Sequence, residues 1–220
     1  IKLVNPKIKI PQLKTDIPEI QTFETNHLLK LYDACLNTRK NAFSRYRDYT
    51  IMVTLLETGI RLGELVSIKL KDLDTKLMMI EIRRSKNRKP RPVFYTSQGL
   101  GQVIRKYLNL RQQVLCDRGI DSESEYLFIT TLGNKLCDSS IKKKLNFYGE
   151  IAGIKDVRVS AHTFRHTFAK RFLMNSDDLY TLCDLMGHSS LEMTYRYARL
   201  FSDNRRKKYL EVMGKNTCTI

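Results

Sequence analysis

Apolar residues recur at helical spacing along most of this chain. From about Glu24, Leu28, Leu31 and Tyr32 fall on one face of a helix, and from Tyr46 to Glu57 the set Tyr49, Met52, Val53 and Leu56 does the same. Gly59 is placed to end that second helix, and residues 61–70 read as a further short one. The period then drops to two. Leu77–Arg83 and Arg91–Tyr95 alternate as strands on either side of a basic, proline-marked turn, which predicts a small antiparallel hairpin. Beyond it, Ser97 is placed to cap a long helix reaching about Cys116, and Ser139 another reaching about Ala152. Phe164, Phe168 and Phe172 recur every four residues and predict a helix with that face turned to the core.

Prolines stand only at 6, 11, 18, 90 and 92, so the stretches 19–89 and 93–220 lack the strongest helix breaker. The expected fold class is mainly α with one small antiparallel β-sheet. Residues 1–22 read as an extended basic connector, and the chain opens on Ile1, so a fragment of a longer protein is expected. The main unit is then 23–220, with a last amphipathic helix over 202–214.

Composition narrows the partner. Thirty-nine Lys and Arg against 23 Asp and Glu give a formal charge of +16, which repels itself unless a polyanion offsets it. Nucleic acid leads among the partners, although charge alone also suits a ribosomal or membrane-surface protein. No apolar run approaches the ~20 residues that cross a bilayer. Cys35, Cys116, Cys137, Cys183 and Cys218 are odd in number and scattered, without a Cys-x-x-Cys pair, and read as reduced thiols in a cytoplasmic protein.

Four segments carry candidate chemistry. In Thr58-Gly59-Ile60-Arg61-Leu62-Gly63-Glu64-Leu65, Arg61 and Glu64 share a helical face. Alone, that pair is an ordinary surface ion pair; its apolar flanks argue for a cleft in which a guanidinium fork clamps phosphate. The segment Arg83-Arg84-Ser85-Lys86-Asn87-Arg88-Lys89-Pro90-Arg91 puts six cations in nine residues on the hairpin turn, a solvated loop or a DNA-phosphate contact. In His162-Thr163-Phe164-Arg165-His166, the polar residues cluster away from the phenylalanine face. Two His at i and i+4 suit zinc, but the Glu of a His-Glu-x-x-His site is missing, so an oxyanion-donor cluster fits better. In the fourth segment Asp177 and Asp178 are placed to cap a helix, Gly187 to end it, and Ser189-x-x-Glu192 to box the next, which fixes His188 at a tight junction ahead of Tyr195 and Tyr197. A lone His or a helical Tyr is more often structural than catalytic.

Taken together and in this order, the segments resemble the tyrosine recombinase family of site-specific integrases over about residues 24–213. Arg61 and Glu64 match its Thr-Gly-x-Arg-x-x-Glu segment, His162 and Arg165 its His-x-x-Arg, and Gly187-His188-Ser189 its Gly-His-Ser. Tyr197 follows His188 by nine residues, where the family's nucleophile falls, with Tyr195 the competing position. Lys86-Asn87-Arg88-Lys89-Pro90-Arg91 resembles the Lys-Gly-x-Lys-x-Arg turn, with Asn87 in place of Gly, so Lys86 is the expected catalytic Lys and Lys89 stays open. The resemblance implies a DNA breaking-rejoining catalytic domain preceded by a DNA-binding domain outside this sequence. It also implies double-stranded DNA as partner, a homotetramer on two DNA sites, and exchange of the 202–214 helix between protomers. The implied roles are Arg61 and Arg165 as charge clamps, with Glu64 orienting Arg61. His162 is the implied general base, Lys86 the acid for the leaving oxygen, His188 a donor to the phosphate and Tyr197 the nucleophile. Arg84, Arg88, Lys89 and Arg91 are expected on DNA, and His166 in a supporting role. No metal, ATP or other cofactor is expected. A type IB topoisomerase shares the phosphotyrosine step; Gly-His-Ser followed closely by Tyr197 favours the recombinase. The setting implied is a bacterial cytoplasm, or a phage or other mobile element, for integration, excision or transposition.

Overall fold

The structure, a computed structural model, describes residues 20–38, 41–83, 90–120, 124–176, 178–188 and 190–201. Helix α1 spans Thr25–Thr38 and buries Leu28, Leu31, Ala34 and Cys35. Helix α2 spans Ala42–Thr58, starting four residues before the expected Tyr46 because the Asn41 side chain accepts from Ser44 N. It ends at Gly59 in the left-handed region, φ 60°, where a β-carbon would also meet the ring of Phe168. The predicted helix over 61–70 shortens to α3, Leu62–Leu65, followed by a 3₁₀ turn at Leu70–Asp72.

The sheet has three strands where the pattern predicts two. β1 (Leu73–Asp74), β2 (Met79–Ile82) and β3 (Arg91–Phe94) pair antiparallel in that order, with Ile80 opposite Val93 and Ile82 opposite Arg91. Leu77 and Met78 belong to the β1–β2 turn, Met78 at φ 52°, so β2 is shorter than the alternation suggested.

Helix α4 is Leu100–Asp117 and α5 is Asp138–Ile151. Neither uses the expected serine cap: Gly99 and Cys137 occupy those positions. At α4 the work of a cap falls to Glu57 of α2, whose carboxylate accepts from Thr96 N and Leu100 N. Helix α6 covers Ala161–Ser176, α7 Leu179–Met186 and α8 Leu191–Phe201. The Asp178 side chain caps α7 on Tyr180 N and Thr181 N, and Gly187 ends it at φ 58°. The predicted box from Ser189, and with it Asp177, falls outside the described residues, as do the 202–214 helix and most of the 1–22 connector.

Two apolar cores result. The larger gathers α1, α2, α4, α5 and the sheet around Leu31, Ile51, Ile80, Tyr107 and Tyr148, with Phe164 of α6 joining it. The smaller consists of Ala169 and Leu173 of α6, Leu182 and Met186 of α7 and Tyr197 of α8, with Phe168 and Phe172 half-buried against it. The cleft described next lies where these two cores meet. No described helix is long and apolar enough to cross a membrane.

Candidate active site

Arg61 is the residue that begins α3, and its extended backbone turns the chain so that Glu64 reaches back to accept from Arg61 N at 2.9 Å. The Arg61 guanidinium lies 3.5 Å from Glu64 Oε1 and donates to the carbonyl of Gly187 at 3.3 Å; its side chain stays 31% exposed. Arg165, on α6, is almost wholly buried. It donates to the carbonyls of Gly59 and Met186 and approaches His188 Nε2 at 2.9 Å. The end of α2 and the end of α7 therefore hold one guanidinium between them. A helix C-terminus carries partial negative charge, which suits that placement.

Burial pulls the Arg165 guanidinium down to about 10, and the Arg61 cation beside it acts in the same direction. It is still charged at neutral pH. Burial pushes the Glu64 carboxyl up, but hydrogen bonds from Arg91 and from Arg61 N, with both guanidinium charges, outweigh it and leave the group below the usual carboxylate range.

His188 is fixed on both nitrogens. A guanidinium only donates, so Nε2 accepts from Arg165, and Nδ1 carries the proton that it shares with Thr194 Oγ1 at 2.8 Å. Its ring lies parallel to that of Tyr197, 6.3 Å between centroids.

The Tyr197 ring is packed into the smaller core, 5% exposed, while its hydroxyl meets His166 Nδ1 at 2.8 Å. Burial raises the hydroxyl's pKa, and the charges of Arg165, Arg196 and Arg61 pull against that rise. Tyr195, the competing position, points out of the helix and is 55% exposed. His166 is pulled down to about 4 by burial, with His162, Arg165 and Arg196 adding to it, so its ring is neutral at neutral pH. His162 stacks loosely on His166, 6.5 Å between ring centroids.

Arg61, His162, Arg165, His166 and Tyr197 line one cleft of about 890 Å³, together with Lys142, Arg158 and Arg196. Five of its lining residues are Lys or Arg and one, Asp138, is acidic. The arrangement can hold a diester phosphate against two guanidinium groups beside a tyrosine hydroxyl. Among the described residues no group of three or more His, Cys, Asp and Glu is placed to share a metal ion.

Lys86, Arg84, Arg88 and Lys89 lie outside the described residues. Arg91, expected on DNA, makes its contacts here within the protein. Its fork grips both oxygens of Glu64, at 3.0 and 2.9 Å, and its Nε donates to Leu185 O at 3.0 Å. A buried carboxylate and an open helix end attract the guanidinium more strongly than water does at the rim. The motifs do not include Lys142, Arg158 and Arg196, whose spacing carries no signal until α5, the segment before α6, and α8 bring them to one cleft.

Residues 21–203 match the phage integrase family. The chain belongs to that family. Similar to this phage integrase family member are a tyrosine recombinase XerC of Thermodesulfovibrio yellowstonii and a tyrosine recombinase XerA of Saccharolobus solfataricus. The first is 29% identical over 90% of this chain and 64% of its own length, the second 30% identical over 99% and 65%. A crystal structure of XerA recombinase superposes with a TM-score of 0.70 at 28% identity, covering 91% of this chain and 65% of that one. The fold is that of a tyrosine recombinase catalytic domain. This family member spans just under two thirds of the length of those relatives.

Proposed function

We propose that this chain is the catalytic part of a site-specific DNA recombinase, which breaks and rejoins a DNA strand through a covalent tyrosyl intermediate. The observation that carries the reading is the meeting of Arg61, Arg165 and His188 around the end of α7, beside the cleft that Arg61, Arg165 and Tyr197 line.

The Tyr197 oxygen attacks phosphorus and the bond from phosphorus to the 5′-oxygen breaks, giving a 3′-phosphotyrosyl link and a free 5′-hydroxyl. One phosphoester replaces another, so the bond is stored for rejoining. Arg61 and Arg165 stabilise the extra charge on the non-bridging oxygens. A phenol needs a proton acceptor near its own range, and His166, at about 4, is too weak a base for it. His166 therefore orients the hydroxyl and His162, facing the same cleft, receives the proton. Lys86 protonates the leaving oxygen. For His188 to donate to the phosphate, Arg165 must first turn from its Nε2 to the phosphate, and the ring must then carry a proton on that nitrogen. The partner is double-stranded DNA in the cytoplasm, and a homotetramer on two sites with exchange of the 202–214 helix completes the reaction.

Incubating the protein with a library of nicked, random-sequence duplexes in EDTA and without ATP tests this. Trapped protein–DNA adducts are expected from the wild type and not from Tyr197→Phe. No adduct from the wild type, or an equal yield from the variant, contradicts the reading.

A further inference from the structure

Arg91 opens β3 directly after the basic turn, paired opposite Ile82 in the sheet. Its guanidinium makes four hydrogen bonds to two other elements: both oxygens of Glu64 on α3, and the carbonyls of Leu185 and Met186 at the end of α7. Only 13% of the side chain is exposed. Gly187 closes over it, since a β-carbon there would lie 2.7 Å from Arg91 Cζ. Arg91 thus shares the Met186 carbonyl with Arg61 and Arg165.

The charge balance gives this enclosure a purpose. Glu64 is the carboxylate of the clamp, buried to 5% exposure, and it serves two guanidinium groups at once. Were Arg61 its one cationic partner, the pair would be neutral and Arg61 would offer little net charge to a phosphate. With Arg91 on the other side the trio carries +1, and Arg91 holds the carboxylate bidentately, at shorter distances than Arg61 does.

Resting on the recombinase reading above, we propose that Arg91 is a positioning residue for the phosphate clamp. It acts through Glu64, fixing the carboxylate and neutralising it so that the Arg61 charge is left for the phosphate, and it does not contact DNA. The paired strands β2 and β3 are thereby tied to the clamp by one side chain.

The test uses a nicked duplex recovered by covalent capture from the random library, with the full chain as wild type, Arg91→Gln, Arg91→Lys, Glu64→Gln and Arg91→Gln/Glu64→Gln. At saturating DNA, Arg91→Gln is expected to form adduct at least ~10-fold more slowly, with Arg91→Lys between it and wild type. Affinity for the unnicked duplex and its salt slope fall in Arg91→Gln, because Glu64 then neutralises Arg61, and return towards wild-type values in the double variant, where no carboxylate opposes Arg61. The double variant is no slower than the slower single variant. A salt slope that stays shallower by about one in the double variant would place Arg91 itself on a phosphate and overturn the proposal. So would losses that multiply in the double variant, or an Arg91→Gln protein of wild-type rate. If Arg91→Gln melts early, Arg91→Lys carries the same comparison, because it keeps the charge without the fork. A wild-type protein that forms no adduct overturns the recombinase reading and this inference with it, which is a different result from any of these.

Discussion

At neutral pH the His166 ring is uncharged, and this sets two expectations. In the unfolded chain it takes up a proton near its ordinary 6.5, in the folded one only near 4. Between those values the unfolded state binds more protons, so folding stability falls as pH drops from about 6.5 towards 4. Melting temperatures of the wild type and of His166→Gln across that window check this: the wild type loses more on acidification. For the reaction, His166→Phe removes the nitrogen that meets the Tyr197 hydroxyl, and adduct formation at saturating DNA falls about tenfold, while His166→Gln keeps most of the rate. DNA affinity is the same in both. The sequence offered His166 in the polar cluster of its segment and a supporting role, but not its partner, which lies 31 positions away and is brought to it by the packing of α8 on α6. Tyr197 was legible from its spacing to His188. That its ring would also be a core side chain was not.

The elements divide by where their ends are decided. α7 was legible because its cap, Asp178, and its stop, Gly187, are local: the side-chain oxygen accepts two backbone N–H groups and the glycine takes φ 58°. Replacing Asp178 by Ala should cost ~1 kcal/mol, read as a lower melting temperature. Gly187→Ala meets both a left-handed backbone and the Arg91 guanidinium, and a loss of ~1–3 kcal/mol is expected together with slower cleavage. α4 was misplaced at its start because Glu57, 43 residues before Leu100, supplies the acceptor there. β1 is two residues long and exists through pairing with β2, too short to leave a period of its own. The inward contacts of Arg91 were not legible for the same reason: a cation run reads as a solvated turn, and the carboxylate that its last member grips stands 27 residues earlier.

For the whole molecule, charge and the union of two cores are what matter. The cleft sits between them with five cations and one carboxylate along its walls, on a chain of net +16. If those cations and the turn neutralise about six phosphates, duplex affinity falls by roughly 10³ between ~50 and ~200 mM salt. A titration of binding against salt concentration measures that slope, and a flat one denies the cleft its role. The central claim is that Tyr197 itself becomes bonded to DNA. Trypsin cuts after Arg196, so a digest of the trapped adduct separates Tyr197 from Tyr195, and mass spectrometry of the nuclease-trimmed peptides identifies the modified residue. The account predicts the nucleotide remnant on the Tyr197 peptide; a remnant on the peptide ending at Arg196, or on none containing tyrosine, would contradict it.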